Sequence, residues 1–167
     1  RCSKMFVQST VIKYGDHIDT DVIIPARYLN TTDHAELASH CMEDLDSDFK
    51  RKSETSRIIV AGRNFGCGSS REQAPIALKQ AQVALVVAQG FARIFRRNCI
   101  NIGMPVFVAD AVKKLHTGEI IEVDLEKGTI TAPCGMIESA PLSESVLKTL
   151  EYGGLIPRVR AELGINE

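Results

Sequence analysis

The stretch Arg57-Ile58-Ile59-Val60-Ala61-Gly62-Arg63-Asn64-Phe65-Gly66-Cys67-Gly68-Ser69-Ser70-Arg71-Glu72 runs an apolar strand into a glycine-rich loop, and a helical pattern follows through residue 81. The unbroken apolar run at 58–61 is that of a strand covered on both faces, as in a parallel sheet. Gly66 and Gly68 allow a tight turn and close approach of backbone to a ligand. Free N–H groups at a helix start, aided by the helix dipole, favour an anion there. Ser69 and Glu72 stand at capping-box spacing, which by itself signals only the start of a helix. Pro75 falls just beyond the positions where a helix accepts proline freely. Either the first turn is irregular or the regular helix begins later.

Outward from this loop the pattern repeats. Residues 83–88 read as a second apolar strand, 91–98 as a helix and 105–108 as a third short strand. The middle of the chain is therefore β-α-β-α-β, with parallel pairing expected. Upstream, 6–13 is rich in Val and Ile and reads as a strand, followed by a polar loop at 14–21 and a short apolar piece at 22–25 ended by Pro25. Residues 33–43 read as a helix, with Asp33 and Glu36 at capping-box spacing and an apolar stripe of Ala38, Cys41, Met42 and Leu45. The charged segment 44–55 is expected to be exposed. Downstream, 119–131 reads as a hairpin turning at Glu126-Lys127-Gly128. Ser143 is a cap for a helix to Tyr152, stopped by Gly153-Gly154, and 157–163 is a last helix with Gly164 behind it. The expectation is a mixed, layered α/β fold.

A chain of 167 residues suits one domain, here spanning 1–167. Lys and Arg number 20 against 21 Asp and Glu, so the net charge of -1 gives no support to general binding of nucleic acid or anionic membrane. No apolar run approaches the roughly 20 residues of a membrane span. The first residues, Arg1-Cys2-Ser3-Lys4, carry neither an initiator Met nor a signal-type apolar stretch, and a trimmed or processed start is expected. Cysteines lie at 2, 41, 67, 99 and 134 without a CxxC pair. That argues against a self-contained zinc or iron–sulfur site and for a reducing compartment. All but Cys67 are expected to be small buried hydrophobes.

A dinucleotide fingerprint fails twice. Arg71 occupies the position of the third, small residue, and no Asp or Glu occurs between Glu72 and Asp110. The acid-free stretch still holds Lys79, Arg93, Arg96 and Arg97. With Arg63 and Arg71 it predicts a positive surface beside the loop, suited to a carboxylate. The competing expectation is a solvated helix face paired with the acidic segment 43–54. A second polar cluster, Asp16, His17, Asp19, Thr20 and Asp21, lacks the calcium-loop pattern and reads as an Asx-rich turn.

These pieces together resemble a known family. Gly15-Asp16-His17-Ile18-Asp19-Thr20-Asp21, with Ile23-Ile24-Pro25-Ala26-Arg27-Tyr28-Leu29, is similar to the opening of the 3-isopropylmalate dehydratase small subunits. Gly62 to Glu72 resembles their central signature. Arg97-Asn98-Cys99-Ile100-Asn101-Ile102-Gly103-Met104-Pro105 resembles a third block. The three blocks come in family order and the likeness spans nearly the whole chain.

The resemblance implies the swivelling β/β/α three-layer domain of aconitase, with a mixed, largely parallel sheet. It implies isomerisation of 2-isopropylmalate and 3-isopropylmalate by dehydration and rehydration, in leucine biosynthesis. A 4Fe–4S cluster would be held by a separate large subunit and none by this chain. The partner would join in a heterodimer or heterotetramer, in the cytoplasm or a plastid stroma. By position in the signature, Ser69 would be the catalytic base and Arg71 the carboxylate binder, with Ser70 a further donor. Asp19, Thr20 and Asp21 would shape the substrate loop. Asn30, followed by Thr31-Thr32, stands in the loop that senses the substrate's γ-substituent. Asn30 is neither the apolar residue that suits an isopropyl group nor the arginine that suits homoaconitate, so homoaconitase or another alkylmalate hydro-lyase small subunit stays open. Cys67 receives no catalytic role.

Two readings of other classes remain. The loop could hold a carboxylate or phosphate in a non-catalytic binding module. RNA binding through Arg93 to Arg97 with Phe91 and Phe95 is the weaker one, since charge balance and the absence of a recognition motif oppose it.

Overall fold

A computed structural model describes residues 5–165. Seven strands, β1 (Phe6–Lys13), β2 (Ile58–Ala61), β3 (Leu85–Ala88), β4 (Val106–Val108), β5 (Ile120–Asp124), β6 (Thr129–Ala132) and β7 (Gly135–Glu138), form one mixed sheet in the order β4-β3-β2-β1-β5-β6-β7. Pairing is parallel from β1 through β4 and antiparallel from β1 through β5 and β6 to β7. Among the described residues five α-helices lie between strands, α1 (Thr20–Ile23), α2 (His34–Ser39), α3 (Phe49–Lys52), α4 (Gln73–Gln80) and α5 (Arg93–Asn101), and two follow the last strand, α6 (Glu144–Glu151) and α7 (Leu155–Glu162). α4 and α5 are the crossovers of the parallel unit, as the alternating sequence pattern predicts.

Side chains of a strand point alternately to its two faces, and both faces of β2 and β3 are covered. Ile59, Ala61, Val86 and Ala88 pack with Leu37, Ala77, Leu78 and Phe95 of the helices. Ile58, Val60, Leu85 and Val87 pack instead with Ile121, Val123, Ile130 and Ile137 of the antiparallel strands. The sheet therefore curls over its own far face. Its two edges meet: the Ser139 hydroxyl, just past β7, donates to the Val108 carbonyl at the end of β4 (2.7 Å). A β-layer, a second β-layer and a helical layer result.

Several sequence expectations change in detail. Residues 22–25 do not stay extended. They belong in part to α1, whose N-cap Asp19 accepts from the Val22 N–H (2.8 Å). α2 stops at Ser39, and Met42 adopts a left-handed backbone (φ 61°). Asp33 caps α2 alone, while Glu36 accepts from the Thr31 hydroxyl and so never closes a capping box. The segment 44–55 is only partly exposed, because Phe49 of α3 is fully buried. The helix after Gly153-Gly154 starts two residues earlier than its proline suggests. α7 leaves Ile156 and Val159 exposed, with Leu163 just beyond.

Candidate functional site

The loop between β2 and α4 is pinned along its length by the segment that follows β1. The His17 N–H donates to Arg63 O (2.8 Å), Gly66 N–H to Ile18 O (2.7 Å) and Thr20 N–H to Cys67 O (2.9 Å). The buried Thr20 hydroxyl then donates to the Ser69 carbonyl (2.7 Å). Gly66 is required here. Its φ is +82°, and a Cβ would stand 2.1 Å from the Phe95 ring. The loop is thus anchored at Gly66, Cys67 and Ser69. Neither the Ser69 nor the Ser70 hydroxyl has a hydrogen-bond partner among the described residues, and both residues are exposed.

The three carboxylates of the preceding cluster, packed within 16–21, avoid mutual repulsion because each has its own donor. Asp16 accepts from the Arg63 N–H (2.8 Å), and that bond foremost holds its carboxyl below the usual range. Asp19 caps α1. Asp21 accepts from Arg71 Nη1 (2.9 Å) and from the Ala26 N–H (3.2 Å), with the arginine bond the larger cause of its lowered pKa. Arg71 Nη1 also donates to Ile24 O (3.3 Å). One corner of the guanidinium is therefore anchored, and its other nitrogens are left for a ligand.

Beside this loop lies a cavity of about 380 Å³. Thr20, Gly66, Gly68, Ser70 and Arg71 line one side. Ala92, Arg93, Ile94, Phe95 and Asn98 line the other. Ser69 sits on the loop between two lining residues without lining the cavity itself. Asp19 and Asp21 do not line it either. Asn30 is exposed in the turn after a 3₁₀ segment, Ala26–Tyr28, and does not line the cavity. Its neighbours Thr31 and Thr32 border a separate small groove with Glu72, Gln73 and Ile76.

The helix that offers its positive end to this cavity is not the one the loop sequence suggests. α4 begins at Gln73 with Glu72 as N-cap and no side-chain cap, so Ser69 precedes the helix and no capping box forms. Pro75 falls in the first turn of α4, where no intrahelical donor is lost. It is α5 whose first turn lines the cavity: Ala92 is its N-cap, Arg93 to Phe95 follow, and no side chain caps it. Sequence reasoning placed the helix but not this orientation. The acid-free run was the available signal.

That run keeps its charge. Among the described residues Arg93, Arg96 and Arg97 meet no carboxylate, whereas Glu43 to Asp48 are occupied by Arg27, His40, Lys52 and Arg51. The expected pairing of the basic helix with the acidic segment does not occur. Arg63 instead pairs with Asp16, and Lys79 donates to Ile102 O (2.5 Å). Phe95 is buried, and the half-buried Phe91 packs against Phe65 with ring centroids 5.9 Å apart.

Cys41 and Cys99 are buried, as expected, and burial pushes both thiols up. Cys134 departs from expectation: it is exposed, because residues 133–134 form the tight turn between β6 and β7. Cys2 lies outside the described residues. The Cys67 thiol is also raised, by burial first and by Asp19, which is the opposite of an activated thiolate. Among the described residues no group of three or more His, Cys, Asp or Glu side chains could hold a metal ion. No described helix is long and apolar enough to cross a membrane.

Comparison with known proteins finds relatives along nearly the whole chain. Residues 17–110, which include the pinned loop and both sides of the cavity, match the family described as the aconitase C-terminal domain. A 3-isopropylmalate dehydratase small subunit of Caldanaerobacter subterraneus subsp. tengcongensis is 50% identical over 160 residues, covering 94% of this chain and 99% of that protein. One from Caldicellulosiruptor saccharolyticus is 52% identical over 162 residues, covering 95% and 94%. The crystal structure of a 3-isopropylmalate dehydratase chain from Methanocaldococcus jannaschii superposes with a TM-score of 0.91 at 42% identity, covering 96% of this chain and 97% of that one.

Proposed function

The chain belongs to the 3-isopropylmalate dehydratase small-subunit family, within the aconitase C-terminal domain, and we propose that its pinned loop supplies the base and a carboxylate clamp for that hydro-lyase reaction. Ser69 takes the proton from the carbon next to a substrate carboxylate. The hydroxyl on the adjacent carbon leaves with the C–O bond pair, and an unsaturated diacid remains. Water then adds back with the opposite regiochemistry, Ser69 returning its proton to carbon. The net change is 2-isopropylmalate to 3-isopropylmalate.

A serine hydroxyl is a poor base at neutral pH unless its alkoxide is stabilised. Arg71, two residues along, and the uncapped start of α5 across the cavity supply positive potential. A partner closing over the exposed loop would exclude water and strengthen both. Arg71 grips a substrate carboxylate with the nitrogens that Asp21 and Ile24 leave unused. Ser70, which lines the cavity, is placed as a further donor to the substrate.

The side chains described here do not fit a 4Fe–4S cluster. In this reading the cluster belongs to the large subunit, and this chain does the proton and carboxylate work. The observation that carries the assignment is the loop itself. Its backbone is held by Ile18 and Thr20 at Gly66, Cys67 and Ser69, while among the described residues the two serine hydroxyls have no partner beside an anchored arginine.

The test is Ser69→Ala in enzyme reconstituted anaerobically with its cluster-loaded large subunit. General-base removal should lower kcat by about 10³–10⁴ while the two chains still associate. Near-normal turnover would remove Ser69 as the base. Offering isopropylmalate and homocitrate in parallel reads the substrate class directly, and preference for homocitrate would overturn the isopropylmalate assignment.

A further inference from the structure

We infer that Arg93, at the start of α5, binds the second carboxylate of the substrate, opposite Arg71. The inference rests on the reading of the loop cavity as the substrate site and adds a binding residue to it. Three observations carry it. Arg93 and Arg71 both line one cavity of about 380 Å³, Arg71 from the loop and Arg93 from the first turn of α5. Arg71 is already partly neutralised, because its Nη1 is held by Asp21 at 2.9 Å. Arg93 has no such partner among the described residues: it makes no ion pair or side-chain hydrogen bond, and no acid occurs in the sequence between Glu72 and Asp110.

Charge decides between the two arginines. A dianion entering the cavity meets one cation that shares its charge with Asp21 and one that does not. The uncompensated cation contributes more net attraction. The geometry also suits a diacid. Arginine presents a planar fork that matches a carboxylate. Two such forks lining one cavity can take the two ends of a short diacid beside the loop. Arg96 and Arg97, on the same helix, do not line the cavity and are assigned no such role.

The experiment uses the reconstituted two-chain enzyme at saturating large subunit, with Arg93→Ala, Arg93→Lys and Ser69→Ala side by side. Loss of a charge-assisted hydrogen bond to substrate is worth about 1.5–3 kcal/mol, or roughly 10–150-fold. Arg93→Ala should raise KM for 2-isopropylmalate by that factor, with kcat changed much less, and should raise the inhibition constant of the non-reacting diacid succinate in parallel. Arg93→Lys should recover part of the loss. An unchanged KM and succinate constant in Arg93→Ala would overturn the inference. So would a defect cured simply by adding more large subunit, since that marks a docking residue. If Arg93→Ala is silent while Ser69→Ala abolishes turnover, the loop site stands and only the Arg93 assignment falls. If neither variant changes anything, the site itself is misplaced.

Discussion

Two charged regions of this chain, one acidic and one basic, differ in how far folding neutralises them. In the acidic stretch around Glu43 to Asp48, charge is used up internally. Arg27 reaches both Glu43 (3.0 Å) and Asp44 (2.6 Å), His40 meets Glu43, and Asp46 accepts from Lys52 and from the Tyr14 hydroxyl. On α5 three arginines find no carboxylate among the described residues, and one of them lines the cavity. Satisfied groups around α3 hold a surface in place. Unsatisfied groups around the loop and α5 have work left for a ligand or a partner to complete. Folding tolerates them there because they remain exposed to water and bury no unpaired charge.

The comparison can be broken at several points. After the loss of turnover set out for Ser69→Ala, the largest effect is expected at Gly66. Gly66→Ala forces a methyl into the Phe95 ring and a left-handed backbone on alanine, so it should cost about 3 kcal/mol or more. For a chain of this size that lowers Tm by roughly 10 °C, readable by thermal melting. An unshifted melt would mean the loop packs differently from this description. Thr20→Val comes next. It keeps volume but removes the donor to the Ser69 carbonyl, so stability should fall by about 1–1.5 kcal/mol in denaturant melts. Slackening of the loop should cost about 10–100-fold in kcat, a misplacement effect exceeding the stability loss. Equal small losses in both would make Thr20 structural only. The smallest effect belongs to the satisfied region. Asp44→Asn removes one exposed ion pair with Arg27 and should change stability by at most about 0.5 kcal/mol, with kinetics unaltered. A clear kinetic effect there would erase the distinction between the two regions.

Local signals reached far along this chain. The apolar run at Ile58 to Ala61 meant a strand covered on both sides, and β2 is that strand. Ser143 caps α6 through its hydroxyl, and the turn at Glu126-Lys127-Gly128 joins β5 to β6. Such features depend on side-chain periodicity, caps and turn residues within a few positions of one another. The same locality explains what was missed. β7 follows β6 through a turn at Pro133-Cys134 and carries only four residues, too few for a clear alternation. Ser69 and Glu72 had the spacing of a capping box, but tertiary contacts hold that segment off the helix.

By itself, then, the sequence determined the alternating parallel unit, the loop that carries Ser69 and Arg71, and the excess positive charge beyond it. Only the tertiary structure decided which groups that loop would meet. Thr20 binds the Ser69 carbonyl across 49 positions, and Asp21 binds Arg71 across 50. The first turn of α5 is turned toward the cavity, while the α4 start is displaced from it. The physical reason is the parallel sheet. It separates neighbouring strands by long crossovers, so the contacts that shape the site are made between segments whose nearness no local pattern records.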